Sequence, residues 1–505
     1  MRRILFLLTL LVAIGAEAQD TIWVKFDNRF QPNKSIDISE ADSIVFKQTA
    51  VRVYIPSLRS GSKYISYSTL VGNDTVAQFQ FDWPGRILYR PSSMSSMNFN
   101  DESSQWCFKR SMESEHFVVF WEKGFGDNPS KASTYKFTPK SLLLTGEKCW
   151  KKNVEMGFIK PGNSTTDTYK IIMLVYYTGD WIASGSGYDS KVGSFNVSPW
   201  AITARGGHTV AHEIGHTFQY LVSCDLGMEH GFNYGYGDNA SGGNGWWESC
   251  ANWQGYKVYP SRQFSDGEYY EQHLENHHLN LLHENWRYAC CYIQDYWCML
   301  YGNDFIGRLW RESEKPEDPV EAYKRINNLT QEQFNDEQYM GYARMATWDI
   351  DGVRDYAASA NRIGGHKRSV SKLSDGTTWQ VDSAWCPQNY GYNIINMKYA
   401  KAGTTVKATF KGIAGAKGYR AINTDKAGWR YGFVSYASDG TRVYSDMGRD
   451  AEGTIEFTLP EKHSRLFFVV MGAPTEHWRH PWDDNVTNDE QWPYQVTFEN
   501  TQPIN

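Results

Sequence analysis

The feature that most constrains this 505-residue chain is the pentapeptide His212-Glu213-Ile214-Gly215-His216. On an α-helix, two histidines four residues apart lie on one face about one turn apart, so both rings can reach a single metal ion. Glu213 stands between them, where its carboxylate can approach a metal-bound water without being a ligand. The same stretch carries an apolar stripe on another face: Val210, Ile214, Phe218 and Leu221. The spacing therefore predicts a core-packed helix over about residues 205–223, with a zinc site and Glu213 as general base.

Two histidines do not complete such a site, because a catalytic zinc normally has three protein ligands and a water. A third histidine would stand at position 222, with glycine at 219, but the chain has Val222 and Gln219 there. A downstream acid is the remaining choice. Glu248 is the best candidate, since residues 246–256 can form a second helix packed against the first, while Asp225 and Asp238 are minor rivals.

Further candidates surround the motif. His208 lies one turn before His212, and we expect it to support the site from behind, because a fourth protein ligand would close the metal to water. His230, Tyr234 and Tyr236 lie in a stretch rich in Gly and Asn, and each could supply the group that stabilises an oxyanion. An ordinary loop role is the favoured interpretation for each of the three.

The rest of the sequence indicates where the protein is located and which partners it can bind. The net charge of -6 and the absence of a block of Lys or Arg exclude a nucleic-acid partner. Residues 1–18 have the form of a cleavable export signal, with Arg2 and Arg3, an apolar stretch at 4–14 and Ala16-Glu17-Ala18. That stretch is too short to cross a bilayer, and no later stretch is apolar enough. We therefore expect a secreted, periplasmic or cell-surface protein without a membrane span.

The pattern of apolar and polar residues changes twice along the chain. Residues 19–97 alternate apolar and polar side chains in short runs, which predicts a β-rich module with a linker at 91–96. Residues 98–370 mix strands, at 116–121, 169–177 and 193–200, with helices at 139–156, 205–223, 246–256, 283–310 and 337–350, an α+β pattern. Residues 371–505 return to strands and fit a β-sandwich. The prediction is a multidomain protein whose α+β zincin-like catalytic domain lies between two β modules.

Weaker signals lie outside the motif. The eight cysteines match no disulfide framework, and we expect most of them to be buried thiols. Tryptophans of the C-terminal region would suit stacking on sugars if exposed, although packing is the favoured interpretation. Oxygen-rich side chains at 483–490 could hold calcium, but a solvated turn is favoured there.

The pair His-Glu-x-x-His and the later Glu248-Ser249-Cys250-Ala251-Asn252 resemble the gluzincin group of zinc peptidases. That resemblance implies Glu248 as third ligand and Asn252 as a polar residue behind the first histidine. Residues 114–121, the motif helix and residues 346–349 resemble an uncharacterised family of secreted bacterial gluzincin-like proteins, and enhancin-like mucin peptidases are a more distant comparison. The resemblance covers roughly residues 100–360.

The function predicted is a secreted zinc endopeptidase that hydrolyses protein or glycoprotein substrates, with zinc on His212, His216 and Glu248 and with Glu213 as general base. The alternative is a surface protein that uses a zincin scaffold, and its two β modules, to bind glycans or host protein. A metal-dependent hydrolase of a non-peptide bond is the third hypothesis. An intact Glu213 favours the enzyme over the binding protein.

Overall fold

The computed structural model describes residues 21–37, 40, 43–46, 49–55, 64–68, 76–80, 85–234, 243–265 and 267–504. The predicted export signal, Tyr236 and Asp238 lie outside these residues. Contacts divide the chain into two compact units, one of residues 1–90 with 168–170 and one of residues 91–167 with 171–505. The domain boundaries at residues 97 and 370 stay predictions.

In the part of the first unit that the structure describes, the strands form two three-stranded antiparallel sheets. Its strands are β1 (Thr21–Phe26), β2 (Lys34–Asp37), β3 (Ser43–Phe46), β4 (Ala50–Tyr54), β5 (Tyr64–Ser68) and β6 (Val76–Gln80). The sheets have the orders β2-β1-β6 and β3-β4-β5. Val24 and Phe26 on β1, like Val51 and Val53 on β4, are buried two residues apart, as expected for strands with one covered face.

A five-stranded sheet begins the second unit. It consists of β7 (Ser111–Glu113), β8 (Phe117–Trp121), β9 (Ile171–Val175), β10 (Ala183–Tyr188) and β11 (Val192–Val197), in the order β10-β11-β9-β8-β7. β8, β9 and β11 are mutually parallel, and the two outer strands are antiparallel to their neighbours. Every residue of β8 and β9 is buried, which explains why both sequences are uninterrupted apolar runs. β10 forms one edge of this sheet.

Ten helices of the same unit lie within the described residues: α1 (Pro139–Glu155), α2 (Pro199–Thr203), α3 (His208–Leu226), α4 (Gly243–Val258), α5 (Gly267–Asn276), α6 (Ile293–Tyr301), α7 (Phe305–Glu312), α8 (Pro319–Ile326), α9 (Gln331–Met345) and α10 (Arg354–Ser359). The motif helix α3 contacts α1 and α4 on one side and strands β10 and β11 on the other. The predicted stripe of Val210, Ile214, Phe218 and Leu221 is fully buried in that packing.

One predicted helix is wrong in its extent. Residues 283–310 do not form a continuous helix: short 3-10 turns at Glu284–Trp286 and Cys290–Tyr292 precede α6, and a break separates α6 from α7. His283 caps the first turn, because its Nδ1 accepts a hydrogen bond from the Asn285 N–H. Gly302 ends α6 with φ of 103°, a backbone conformation that favours glycine. Likewise, α9 begins before the predicted residue 337, at the capping box of Thr330 and Gln333.

The C-terminal strands form two facing sheets. They are β12 (Val370–Lys372), β13 (Thr378–Val381), β14 (Tyr392–Met397), β15 (Thr405–Gly412), β16 (Trp429–Tyr436), β17 (Arg442–Tyr444), β18 (Glu452–Thr458), β19 (Arg465–Gly472) and β20 (Tyr494–Glu499). The sheet orders are β12-β13-β20-β15-β18 and β14-β19-β16-β17. On β19, Leu466, Phe468 and Val470 face the sandwich core, whereas Phe467, Val469 and Met471 join the core of the helices. This sheet is therefore buried on both faces.

These elements confirm a multidomain α+β architecture with several sheets. All eight cysteines are free thiols, seven of them buried, as expected for most of them. Four C-terminal tryptophans, Trp379, Trp429, Trp482 and Trp492, are buried, so they serve packing rather than offering open faces to sugars. Asp483 accepts hydrogen bonds from the Asn485 N–H and from Asn488 Nδ2, which gives the 483–490 stretch the bonds of a turn. No helix among the described residues has the length and apolarity to cross a membrane.

Candidate metal centre

Helices α3 and α4 bring the three predicted ligands to one point. The Nε2 atoms of His212 and His216 are 3.0 Å apart. Oε2 of Glu248, on α4, lies 3.1 Å from the first nitrogen and 3.2 Å from the second. All three side chains are buried. We call this group, His212 with His216 and Glu248, the first centre.

Hydrogen bonds behind the rings set the tautomers. Nδ1 of His212 lies 2.7 Å from Oδ1 of Asn252, and that amide is oriented because its Nδ2 donates to the Tyr288 carbonyl. Nδ1 of His216 lies 2.9 Å from Oε1 of Gln219, whose Nε2 donates to the carbonyl of Trp247 and to Gln254. Both Nδ1 atoms therefore carry the proton and donate it, which leaves the Nε2 lone pairs facing each other.

Two nitrogen lone pairs and a carboxylate oxygen at mutual distances of 3.0–3.2 Å repel each other unless a cation lies among them. Nitrogen from two imidazoles and oxygen from one carboxylate is also the donor set of many catalytic zinc sites. The group is thus compatible with a metal ion, and zinc fits the donor atoms.

The titration behaviour of these groups reflects the same crowding. Burial lowers the pKa of His216, but the charge and hydrogen bond of Glu248 outweigh it and raise that pKa to about 9. Burial raises the pKa of Glu248, and the two histidines overcome this to hold it well below its usual range. When no metal is bound, these pKa shifts favour a proton on His216, and that proton supplies the positive charge that a metal ion would otherwise provide.

Glu213 is held between α3 and strand β10. Burial raises the pKa of its carboxyl above the ordinary value, although His212 and His216 act in the opposite direction. The backbone of Gly185 also acts to lower the pKa of Glu213, as the smallest of these influences. A Cβ on Gly185 would overlap the carbonyl oxygen of Glu213, so the strand can approach α3 only with glycine there.

Two more glycines serve this close approach. A Cβ on Gly187 would overlap the Tyr220 ring, and one on Gly193 would overlap the methyl group of Thr217. Thr217 fixes the contact, because its hydroxyl lies 3.0 Å from the Ser194 carbonyl. The β10–β11 hairpin is thereby fixed directly against the motif helix.

The first centre opens into a cavity of about 480 Å³. The two histidines, Glu213 and Glu248 line it together with residues 183–186 of β10. Aromatic side chains complete the wall: Tyr220, Tyr234, Trp247 and Tyr288. A substrate in this cavity would meet the ligand atoms and Glu213 at the same time.

Of the remaining predicted residues that the structure describes, one lines the cavity and two do not. Tyr234 lines the cavity and is 55% exposed. His230 is not among the described residues lining the cavity, and its Nδ1 lies 3.1 Å from the Ser313 carbonyl. Asp225 is engaged with the Thr165 N–H at 2.8 Å and is not part of the first centre. Tyr236 and Asp238 lie outside the described residues.

His208 lies behind the site, as expected from its position one turn before His212. Its ring lies near the backbone of Asn252, which acts to raise its pKa, and packs 4.4 Å from the Tyr256 ring, centroid to centroid. Burial, and then the neighbouring His212, lower the pKa of His208 to about 3, so it stays neutral. It thus supports the residue that orients His212.

Sequence reasoning missed Tyr288. Its ring centroid is 5.9 Å from that of His212, and its phenol belongs to the cavity wall. Burial, and then the charge of Glu248, raise the pKa of this phenol above its ordinary value, so it keeps its proton. No spacing rule points to it, because it lies in the turns that were predicted to be helix. Gln219, in contrast, stands three residues after His216, and a side chain at that spacing could have been considered.

The fold and site thus define a multidomain α+β protein with a buried His–His–Glu cluster suited to a metal ion. Residues 83–505 match DUF6055, a family of unknown function, and the chain belongs to that family. A comparison with curated proteins finds no match.

Among solved structures, the chain is similar to the M60 catalytic domain with the CBM51-1 and CBM51-2 domains from Clostridium perfringens ZmpB. The identity is 10% and the TM-score 0.27, over 96% of this chain and 70% of that chain. At a TM-score this low we draw nothing about fold or function from the similarity.

Proposed function

We propose that this protein is an exported zinc-dependent peptidase of gluzincin type, with a zincin-like catalytic domain at 98–370 between the modules at 19–97 and 371–505. One observation carries the proposal: His212, His216 and Glu248 direct three lone pairs to one point beside Glu213, on the wall of a cavity. A purely structural metal site is closed, whereas this arrangement leaves a side for water and substrate.

Zinc in such a site supplies a Lewis acid that polarises the scissile carbonyl and acidifies a water molecule. With the metal bound, Glu213 would take a proton from the attacking water and then deliver that proton to the leaving amine. The raised pKa of Glu213 suits both steps, because a carboxylate that holds a proton more readily is a better base near neutral pH.

Tyr288 is the group we assign to oxyanion stabilisation. A phenol that remains protonated in a cavity can donate a hydrogen bond to the oxygen on which negative charge develops. Tyr234 lines the same cavity but is more than half exposed, so its position is less defined. Tyr288 is anchored on both sides: its carbonyl accepts from Asn252 at 2.6 Å, and its ring stacks on Tyr269 with centroids 5.6 Å apart.

The edge strand β10 favours a polypeptide substrate. Within the described residues β10 pairs only with β11, and residues 183–186 line the cavity. An extended peptide can add to such an edge through main-chain hydrogen bonds, which places its carbonyl groups along the cavity. A glycoprotein is included in this class, because the edge recognises only the peptide backbone.

The test is Glu213→Gln in the full chain, assayed on casein, a mucin-type glycoprotein and a mixed peptide library, with bound zinc measured in parallel. We expect hydrolysis to fall by about 10³-fold or more, while zinc stays at the wild-type level, because Glu213 is a base and not a ligand. Glu155→Gln, on the surface of α1, is the matched control and should keep full activity.

Two outcomes would contradict the proposal. Hydrolysis that survives in Glu213→Gln would mean that another group is the base. Wild-type protein that binds zinc but cleaves none of the three substrates, and is retained on immobilised glycans, would favour the binding protein instead.

A further inference from the structure

A second group of metal-binding side chains lies apart from the first centre. His283 precedes the 3-10 turn Glu284–Trp286, while His480 and Asp489 come from the long segment between β19 and β20. Each offers a ligand atom, and these atoms all lie within 4.8 Å of one another. Nε2 of His283 is 3.1 Å from Oδ2 of Asp489, and Nε2 of His480 is 4.0 Å from its Oδ1. We call His283, His480 and Asp489 the second cluster.

Glu284 adds a carboxylate that has one unsatisfied oxygen. Its side chain is 97% buried, and Oε1 accepts a hydrogen bond from the Asp484 N–H at 3.0 Å. Oε2 lies 3.3 Å from Nδ1 of His283 and 3.4 Å from Nε2 of His480, yet no hydrogen bond from the described residues reaches it. A buried carboxylate oxygen thus points into the second cluster without a bonded donor.

Two buried carboxylates, Glu284 and Asp489, lie within 4.0 Å of the imidazole nitrogens of this cluster. Negative charge is thus concentrated at one buried point, which favours the binding of a cation there.

We propose that His283, His480 and Asp489 bind a second divalent transition-metal ion of zinc type, with Glu284 as the carboxylate behind His283. Two imidazole nitrogens and carboxylate oxygen are ligands that zinc accepts. The proposal concerns metal binding alone and does not rest on peptidase activity.

The tautomer of His283 distinguishes the two states. In the absence of an ion, Nδ1 accepts from the Asn285 N–H at 3.0 Å and the Nε2–H donates to Asp489. An ion on Nε2 would require the ring proton on Nδ1, so the hydrogen bond from the Asn285 N–H to Nδ1 would be lost. Oε2 of Glu284, 3.3 Å away, would then accept the Nδ1 proton. Metal-bound histidines commonly donate their other N–H to a carboxylate in this way.

Such an ion would fasten the segment that carries Tyr288. The second cluster joins His283 to a loop 206 residues away in sequence. Arg287 lies between the two, with its guanidinium 5.0 Å from the Tyr288 ring and 5.2 Å from the Trp482 ring. The second ion therefore has a structural role next to the first centre, holding residues 283–288 against the loop at 480–489.

The experiment measures zinc per full-length chain by mass spectrometry after loading with ZnCl₂ and dialysis. We expect two zinc ions in the wild type, one in His212→Gln/His216→Gln, one in His480→Gln, and none when all three changes are combined. His463→Gln, whose ring nitrogens hydrogen-bond to the Pro460 and Ala400 carbonyls, is the matched control and should keep two. Zinc absent from His212→Gln/His216→Gln, or retained in the combined variant, would overturn the proposal.

A second measurement covers the case in which His480→Gln fails to fold. Zinc is titrated into metal-free His212→Gln/His216→Gln, where the second cluster is the remaining site, and the unfolding temperature is followed. Binding to the folded state should raise that temperature with zinc concentration. An unchanged unfolding temperature would mean that the second cluster is an ion-pair network without a metal.

Discussion

The first centre and the second cluster use similar side chains and are built in opposite ways. In the first centre, two ligands stand one turn apart on α3 and the third stands on the adjoining helix α4. In the second cluster, His283 and Asp489 come from irregular segments and meet only through the packing of the C-terminal sandwich against the helices. Regular structure positions the first group, and tertiary packing positions the second.

The first centre and the second cluster also differ in how open their surroundings are. The first centre opens to a cavity whose wall includes Glu213 and Tyr288, so chemistry can take place on one side of it. In the second cluster, the side chain of His283 is fully buried and that of Asp489 is 95% buried, with a further carboxylate, Glu284, against the rings. A metal held on rigid helices with one open side suits catalysis, whereas one enclosed among loops suits stabilisation.

Changing Tyr288 to Phe tests a cavity side chain outside the motif helix, and among such changes we expect the largest effect there. Removing the phenol hydroxyl should lower kcat by about 10²–10³-fold, the cost of losing one oxyanion donor, with KM little changed. Zinc content should stay at the wild-type level, since Tyr288 is a ligand in neither group. Steady-state kinetics on the best peptide substrate give the values.

Tyr269→Phe provides the control for this prediction. Tyr269 stacks on the Tyr288 ring but is not among the described residues lining the cavity. If both substitutions lower kcat equally, Tyr288 acts through packing and the assignment of its hydroxyl is wrong.

The sequence allowed the first centre to be predicted because its geometry is local. The spacing of His212 and His216 is converted directly into a distance by helix geometry, and Glu248 lies on the helix that packs against theirs. The apolar stripe of α3 and the alternating runs of the β modules follow from burial of one face, so they too could be read from the sequence.

The rest depended on long-range packing. Gly185, Gly187 and Gly193 are required by the closeness of the β10–β11 hairpin to α3, which no single stretch of sequence shows. Tyr288 lies in turns that resemble a helix by composition, and it reaches the cavity because residues 283–292 are not helical. Asp489 belongs to a stretch noted only for its oxygen-rich side chains, and His480 lies outside that stretch, since nothing local relates either residue to His283.

Removing the amide groups behind the first centre should weaken zinc binding there and leave zinc binding at the second cluster unchanged. Asn252→Ala and Gln219→Ala each take away the acceptor of an Nδ1 proton, and we expect zinc affinity to fall by about 10–100-fold at the first centre. The second cluster should bind zinc as in the wild type. Competition with a coloured chelator resolves the two affinities.

Gln263→Ala is the matched control, because this buried amide bonds to the Gly352 carbonyl and contacts neither group of metal-binding side chains. A loss of affinity in Gln263→Ala as large as in Asn252→Ala would show that general loosening of the helices, rather than ring orientation, sets the affinity.

Lowering the pH should destabilise the packing next to the second cluster, and this is the smallest of the expected effects. His273 joins the 283–292 segment to the sandwich, since its Nδ1 lies 3.0 Å from the Ala289 carbonyl and its Nε2 lies 3.0 Å from the Tyr392 hydroxyl. Burial lowers the pKa of His273 to about 3, and the unfolded chain keeps the ordinary value near 6.5. Between these values the unfolded state binds the extra proton, so this stability is complete above pH 6.5 and is lost as the pH falls.

The predicted loss is about 1 kcal/mol in the free energy of unfolding for each pH unit below 6.5, from this residue alone. Urea unfolding at pH 6.5 and pH 5.5 measures it, and His273→Gln should flatten the dependence by that amount while His463→Gln should not. If His273→Gln leaves the slope unchanged, the ring is already accessible to protons in the folded state. The acid sensitivity of the protein would then have to come from other groups, such as the proposed release of the ion from the second cluster.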